Sequence, residues 1–200
     1  MPYNLSKPLA ITLLLIVISG CASKSSLKLI DPNNPPGLTE LNHWQLEARV
    51  AIQTPEDSIT ASLDWQKNNR EFDFLLSGAF GVTLAHLVQD KRQASLDIPD
   101  HDTMIHSDAQ ILLQQALGWD FPIDALSYWV KGLPSGTPGE IITRDEFGRI
   151  NAIEMGFWQI NITKYRKFQG FDLPKMIKAS HPNMSLKVVA KKWAFYQQSN

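Results

Sequence analysis

The chain has 200 residues, of which 44% are hydrophobic and 20% are charged, and its formal net charge is −1 at pH 7. This composition supports one sizeable hydrophobic core and excludes a disordered or collagen-like protein. A net charge near zero also argues against a dedicated nucleic-acid binder, which needs a basic excess to neutralise phosphates, and the single cysteine excludes an internal disulfide.

The first twenty residues are typical of an export signal. An unbroken, mostly apolar run from Leu9 to Ile18 follows the positive charge of Lys7. Ten helical residues cover about 15 Å, roughly half the hydrocarbon thickness of a bilayer, so a permanent membrane span is the poorer interpretation. We therefore expect residues 1–20 to be a signal peptide.

The run closes with Ile18-Ser19-Gly20-Cys21, which resembles the lipobox of bacterial lipoproteins. The resemblance implies that Cys21 becomes the first mature residue and carries an N-acyl chain and an S-diacylglycerol, which anchor a protein stably. Ala22 and Ser23 follow the cysteine, and by resemblance to the sorting rules of enterobacterial lipoproteins neither is the aspartate that keeps such proteins in the inner membrane. The favoured location is therefore the periplasmic face of the outer membrane. The alternative is an ordinary cleavage site with an incidental cysteine.

Residues 21–42 are rich in Ser, Pro, Asn and Gly and show no sustained apolar period. This composition predicts a lipidated flexible tether. If residues 22–40 were fully extended, these nineteen residues would reach on the order of 65 Å from the lipid, so the folded domain need not lie against the bilayer. We predict a single domain over residues 43–197.

From Trp44 onward, apolar and polar residues alternate, as in strands with one buried face. Polar turns such as the one from Lys67 to Arg70 separate the alternating segments, which predicts an antiparallel meander of hairpins. The apolar positions are Trp44, Leu46, Ala48, Val50 and Ile52, then Ile59, Ala61, Leu63 and Trp65, then Phe72, Phe74 and Leu76, then Val82, Leu84 and Val88.

After Pro99 the apolar period becomes helical. A first helix is predicted with Ser107 or Asp108 as its N-cap and Gly118 as its stop, and a second short helix extends from Pro122 to Gly132. The apolar face of the first helix would comprise Ile111, Leu112, Ala116 and Leu117.

Strands resume from Glu140. The order of elements predicts an α+β domain, in which a strongly curved antiparallel sheet has its concave side covered by a helical insertion. Such a sheet can enclose a cavity. Aromatic side chains on its inner positions would line a dry pocket for an apolar ligand, or would equally suit a filled core. The candidate lining residues are Trp65, Phe72, Phe74 and Trp129.

Phe80 lies between Gly78 and Gly81 in a loop that joins two predicted strands, where turns usually carry Asn, Asp or Ser. If Phe80 protrudes, its burial in a membrane would contribute roughly 1.5–3 kcal/mol, which suits a transient contact. In the alternative, the loop folds back and Phe80 covers the core.

No constellation for covalent chemistry is visible. His101 and His106 are five residues apart, which does not match the spacing that places two metal ligands on one helix face. We predict no enzymatic activity, no metal and no cofactor other than the covalent lipid on Cys21.

The segment from Gly118 to Pro134 resembles the central signature of the LolB family, the outer-membrane lipoprotein receptors of the lipoprotein-localisation pathway. Its letters are GWDFPIDALSYWVKGLP. The lipobox, the opening from Trp44 to Arg49 and the closing stretch from Leu173 to Trp193 fall in the family's order. The resemblance implies an incomplete antiparallel barrel with helices as a lid over a hydrophobic cavity. It also implies a membrane-insertion role for Phe80, where the family carries an exposed leucine.

By this resemblance the protein accepts acylated lipoproteins from a periplasmic carrier similar to LolA and inserts them into the outer membrane, as a monomer and without nucleic acid. Two other interpretations stay open from the sequence. One is a lipid-anchored envelope hydrolase, which would need a catalytic centre. The other is a lipoprotein that binds free lipids without a protein partner.

Overall fold

The computed structural model describes residues 27–30, 37–118 and 120–198, so the predicted signal peptide and Cys21 lie outside the described residues. Within these ranges the chain forms twelve strands and two α-helices. The strands are β1 (Leu27–Leu29), β2 (His43–Gln53), β3 (Ser58–Asn68), β4 (Glu71–Ser77), β5 (Thr83–Gln89), β6 (Ala94–Asp97), β7 (Met104–His106), β8 (Ile141–Arg144), β9 (Ile150–Met155), β10 (Trp158–Phe168), β11 (Phe171–His181) and β12 (Met184–Gln198); the helices are α1 (Ala109–Leu117) and α2 (Ile123–Trp129).

All strands belong to one antiparallel sheet with the order β7-β6-β5-β4-β3-β2-β12-β11-β10-β9-β8, and β1 pairs with the end of β12. Two meanders are therefore joined where the last strand, β12, pairs with the first long strand, β2. No ladder joins β7 to β8 among the described residues, so the sheet is an unclosed barrel. The predicted α+β fold with a curved antiparallel sheet is confirmed.

Burial alternates along β2 and β3 as the sequence predicts. Leu46 of β2 lies opposite Trp65 of β3, and both side chains are fully buried. Arg49 lies opposite Ser62 on the outer face, and its guanidinium donates a hydrogen bond to the Ser62 hydroxyl at 2.9 Å. The alternation thus fixes which face of the sheet meets the core.

Strand β5 presents a different face from the predicted one. Leu87 lies opposite Phe74 and is buried, whereas Val88 lies opposite Asp73 on the other face, and Val82 is exposed in the turn before the strand. Apolar residues occur at both odd and even positions of β5, so the alternation of its sequence does not show which face is buried. The pairing of β5 with β4 determines the buried face.

Of the two predicted caps, Asp108 is the one that begins helix α1, because its carboxylate accepts hydrogen bonds from the N–H groups of Gln110 and Ile111. It ends at Gly118, whose φ of 76° is left-handed. The predicted buried face is wrong in part, since Ile111 and Leu117 are exposed. Six of the nine helical residues are apolar, and packing against β5, β6 and β7 selects one side of the helix. The side chains facing the core are Ala109, Leu112, Leu113 and Ala116.

Helix α2 is shorter than predicted and runs only to Trp129, after which a turn leads to Gly132. Ile123, Leu126 and Trp129 are buried, so this helix covers the core with most of its surface. No helix among residues 27–30, 37–118 and 120–198 is long and apolar enough to cross a membrane.

Two parts of the segment predicted as a tether contact the domain. Strand β1 pairs with Tyr196 to Gln198, and Ile30 after it is buried. Leu41, which follows a short 3-10 turn over Leu38–Glu40, is also buried. The strand pairing joins residues about 170 positions apart, and the Leu41 carbonyl bonds Lys131 ninety positions away, so a local reading of composition reveals neither contact.

Candidate functional site

Phe80 forms the tip of the β4–β5 hairpin and is fully exposed, with 105% of its reference surface accessible. The turn is closed below it by hydrogen bonds from the Gly78 N–H to the Val82 carbonyl at 2.8 Å and from the Val82 N–H to the Ala79 carbonyl at 3.3 Å. The ring therefore projects beyond the last ladder pair into solvent. This geometry excludes the alternative in which Phe80 covers the core.

The backbone of Phe80 is left-handed, with φ 57° and ψ 20°. An aromatic residue rarely adopts this conformation, and holding it costs on the order of 1 kcal/mol. The fold thus carries both a strained backbone and an exposed apolar ring at one position. Neither feature benefits the folded chain, so both point to a role outside it.

The register of the sheet defines two opposite ends. The tip end contains the β2–β3 turn, which follows the Gln53–Ser58 pair, and the β4–β5 turn with Phe80. The tether end contains the β3–β4 turn after Asn68 and the β1–β12 ladder. Phe80 and β1 therefore lie at opposite ends of the sheet.

Phe157 is a second exposed aromatic residue at the tip end, and the sequence reasoning missed it. It lies in the two-residue turn between β9 and β10, beside Gly156, and 77% of its surface is accessible. The signal was present in the sequence, because Gly156-Phe157 repeats the pairing of glycine with an aromatic that drew attention to Phe80.

The inner face of the sheet carries a continuous set of aromatic rings that pack against one another. Trp65 meets Trp44 edge-on with ring centroids 5.1 Å apart, and it meets Phe74 at 5.2 Å. Trp193 lies 5.3 Å from Trp44 on the other side. Trp65, Phe72 and Trp129 are buried and Phe74 is half-buried against the same core, so the four predicted lining residues belong to one cluster.

Two indole N–H groups inside this cluster, those of Trp65 and Trp193, have no hydrogen-bond partner among the described residues. A buried donor without a partner costs about 1–3 kcal/mol. Unpaired donors of this kind are unusual in native interiors and call for an explanation beyond packing.

Trp129 holds the helical insertion against the rest of the domain. Its indole N–H donates to Glu140 Oε1 at 2.6 Å, and the same carboxylate accepts from the Ser135 and Gly136 N–H groups at 3.0 to 3.1 Å. On the far side, the Trp158 indole N–H donates to the Asp120 carbonyl at 3.4 Å. Both bonds fasten the insertion to the β8–β10 part of the sheet, while α1 packs against β5, β6 and β7.

A cleft of about 920 Å³ opens at the tether end, between the β3–β4 turn, the β5–β6 turn and the start of α1. Phe72 is the only predicted lining residue that reaches its wall, beside Ala109, Ile123 and Tyr128. Charged groups surround its rim, including Lys67 and Asp124. The cleft therefore offers a polar entrance above apolar side chains.

Two lysines near this cleft have lowered pKa values. Burial, and then the neighbouring Lys67 ammonium, lower the pKa of Lys131 to about 8. Burial also lowers the pKa of Lys67, although Asp124 partly offsets it. Lys131 donates a hydrogen bond to the Leu41 carbonyl at 3.1 Å and lies over the Tyr128 ring.

No group of three or more His, Cys, Asp or Glu side chains that would hold a metal ion occurs in the described part of the chain. His106 accepts a hydrogen bond from the Asp108 N–H and so supports the turn that precedes α1. His86 is half-buried and lies 2.9 Å from Asp73 Oδ1 on the outer face of β4 and β5.

Comparison with known proteins gives one consistent result. A family model described as "Outer membrane lipoprotein LolB" matches residues 42–193. Three relatives named outer-membrane lipoprotein LolB match almost end to end. That from Pseudomonas paraeruginosa is 30% identical over 187 residues, covering 90% of this chain and 91% of the relative. That from Marinomonas sp. is 29% identical, covering 88% and 92%, and that from Nitrosococcus oceani is 31% identical, covering 90% and 92%.

Proposed function

This chain belongs to the LolB family of outer-membrane lipoproteins, and from that premise we propose that it receives acylated lipoproteins in its interior and inserts them into the outer membrane. It is an outer-membrane lipoprotein that acts in lipoprotein localisation. Its interior has the apolar character that acyl chains require, and its tip has the shape that a membrane contact requires.

The observation that carries this proposal is the exposed ring of Phe80. A strained, fully accessible aromatic residue on a closed hairpin destabilises the domain in water but gains free energy in lipid. Burying it would contribute roughly 1.5–3 kcal/mol, enough to bring the protein into brief contact with a bilayer and too little to hold it there. Phe80 is therefore assigned the insertion step.

The interior is assigned the sheltering of acyl chains. An acyl chain of about fifteen methylenes costs on the order of 12 kcal/mol to expose to water, so lipoproteins cannot cross the periplasm uncovered. Trp65, Phe72, Phe74 and Trp129 would contact the chains, with α1 and α2 moving aside as a lid. The unpaired indole N–H of Trp65 would donate to a carbonyl oxygen of the ester or amide linkage that joins the chain to the lipoprotein.

Transfer of the chains needs no cofactor in this scheme. The lipid passes from the apolar interior of a carrier to the interior of this protein and then into the bilayer, so one apolar environment replaces another at each step. Graded affinity alone supplies the direction. We therefore infer a transport factor without enzymatic activity, acting as a monomer with a periplasmic carrier similar to LolA.

Cys21 is assigned the anchor. Lipids on Cys21 would hold residues 21–42 to the outer membrane and present the single lipoprotein-binding domain, residues 43–197, on its periplasmic face. The anchor retains the protein at its destination, while Phe80 makes the contact that releases each lipoprotein.

The test uses the full lipidated chain in phospholipid liposomes, supplied with a fluorescent acylated lipoprotein bound to a LolA-like carrier. Fluorescent protein that floats with the liposomes measures acceptance, and the part of it that no longer co-purifies with the receptor measures delivery. In the Phe80→Glu variant, acceptance should equal wild type while delivery falls at least tenfold. Phe80→Leu should deliver at the wild-type rate because it keeps an apolar tip.

Phe147→Glu is the matched control. Phe147 is also an exposed aromatic residue, with 71% of its surface accessible, but it lies in the β8–β9 turn at the tether end. Delivery by this variant should be normal. Failure of the wild-type chain to accept lipoprotein from the carrier would refute the proposed function, whereas normal delivery by Phe80→Glu would refute the role of the tip.

A further inference from the structure

Residues Leu27–Ile30, called the strap below, fasten the start of the chain to the end of β12. Leu27, Lys28 and Leu29 pair with Gln198, Gln197 and Tyr196, and the Ile30 N–H donates to the Phe195 carbonyl at 3.1 Å. Ile30 is buried, but the Leu27 and Leu29 side chains are about half exposed. A short ladder and one buried side chain form the attachment, so the strap can detach without disturbing the core.

The strap lies far from the tip. Along β4, six residue steps lead from Glu71, which pairs with Asn68, to Ser77, which pairs with Ser62. These steps cover about 20 Å. Leu27 lies two residues beyond the level of Tyr196 and His43, which adds about 7 Å. Phe80 projects past Ser77, so strap and tip are separated by roughly 30 Å along the strand direction.

The reach of the chain before the strap is shorter than this separation. Six peptide steps from Cys21 to Leu27 span at most about 22 Å. With the strap docked, a lipid on Cys21 holds the tether end near the bilayer, and the strands cannot stand with Phe80 toward the same surface. When the strap detaches, the first described residue that packs against the core is Leu38, and the seventeen steps from Cys21 to it span up to about 60 Å.

We propose that the strap is a two-position device that decides whether Phe80 reaches the membrane in which the protein is anchored. The docked strap keeps the tip away from that membrane; the detached strap lets the domain turn over and place Phe80 in it. This inference rests on the proposed function, because it assumes an anchor at Cys21 and an insertion step at Phe80.

A disulfide between Leu29→Cys and Tyr196→Cys locks the strap. Because the Ile30 N–H bonds the Phe195 carbonyl, the neighbouring pair of residues 29 and 196 does not exchange hydrogen bonds, and its Cα atoms lie about 4.5 Å apart, within disulfide range. The sulfur of Cys21 would carry the lipid and so would not form a disulfide with either introduced cysteine. Lys28→Cys with Gln197→Cys is a second, independent lock at the adjacent pair.

In the liposome assay, oxidation of either lock should lower delivery at least tenfold, leave acceptance unchanged, and be reversed by a thiol reductant. Equal delivery by the oxidised and reduced forms of both locks overturns the proposal. Failure of the unmodified chain to accept or deliver would instead refute the proposed function, so the two failures are distinguishable.

A lengthened segment between the anchor and the strap tests whether the crosslink lowers delivery by limiting the reach of the anchor. Twelve Gly and Ser residues inserted between Ser26 and Leu27 add up to about 40 Å. In the oxidised, lengthened chain, delivery should return to at least half the reduced rate, because the anchor then reaches the tip end with the strap still docked. If delivery stays low in that chain, the reach argument is wrong.

Discussion

The Lys131 ammonium donates a hydrogen bond to the main-chain carbonyl of Leu41, and so joins the turn after α2 to the residue at which the chain enters the domain. Both groups are buried, although one of them is a charge. The bond connects residues ninety positions apart and fixes the point from which the preceding segment leaves the domain. It also places a titratable group inside the structure, which gives a measurable consequence.

The Lys131→Met variant should lose a specific part of the pH dependence of stability. The pKa of Lys131 is about 8 in the folded chain against 10.5 in the unfolded chain, so the unfolded state binds more protons between these values. The contribution of Lys131 to the free energy of unfolding therefore rises with pH in this window, by up to about 1.4 kcal/mol per pH unit. Urea unfolding at pH 7.5, 8.5 and 9.5 should show a wild-type minus variant difference that grows with pH. Parallel profiles would contradict the lowered pKa.

Phe80→Gly should separate stability from function. Glycine adopts the left-handed backbone of this position without strain, so the free energy of unfolding should stay unchanged or rise by up to about 1 kcal/mol. Delivery to liposomes should nevertheless fall, because the apolar ring is gone. Urea unfolding and the flotation assay measure the two effects. A clear loss of stability would show that Phe80 supports the fold after all.

Trp65→Phe should weaken binding of acylated lipoprotein through one lost hydrogen bond. The substitution removes an indole N–H that has no partner among the described residues, and affinity should fall about five- to tenfold. Fluorescence titration with an ester-linked diacyl peptide measures the change. The matched ligand is an ether-linked analogue without the carbonyl oxygens, for which wild type and variant should bind alike. An equal loss for both ligands would indicate a packing effect instead.

Glu140→Ala should loosen the helical insertion. It removes the acceptor of the buried Trp129 indole N–H and of the Ser135 and Gly136 N–H groups, which should lower the free energy of unfolding by about 2–4 kcal/mol. Near-ultraviolet circular dichroism should also report a changed Trp129 environment. Glu146→Ala, at an exposed position in the β8–β9 turn, is the control and should change stability by less than about 0.5 kcal/mol.

Gly132→Ala and Gly136→Ala should differ although both glycines have φ values above 70°. A Cβ at Gly132 would lie 2.9 Å from the Tyr165 hydroxyl, which is held in place by its hydrogen bond to the Ile150 carbonyl. A Cβ at Gly136 would meet no atom within 4 Å. Gly136→Ala should cost about 1 kcal/mol of unfolding free energy from backbone strain alone, and Gly132→Ala at least twice that. Equal losses would show that Tyr165 moves freely.

Local patterns predicted the features that depend on local physics. The alternation around Leu46 and Trp65 placed β2 and β3 with the correct face inward, and Asp108 and Gly118 marked the ends of α1 because capping uses groups within three or four residues. Phe80 stood out because glycines flank an aromatic residue in a turn. These signals need no knowledge of the tertiary structure.

The features that the sequence did not reveal depend on distant partners. The face of β5 followed from its pairing with β4, because Leu87 and Val88 are both apolar. The bond from Lys131 to Leu41 and the ladder between Leu29 and Tyr196 join residues that no periodicity relates. Both gather near the tether end, where the sequence predicted only a linker.

The missing ladder between β7 and β8 has a mechanical consequence. Since no backbone hydrogen bonds close the sheet among the described residues, splaying its two edges stretches side-chain packing and leaves every existing ladder intact. The sheet therefore opens more easily at the gap between β7 and β8 than between any two of its paired strands. An apolar guest in the interior would gain room where the β7 and β8 edges move apart.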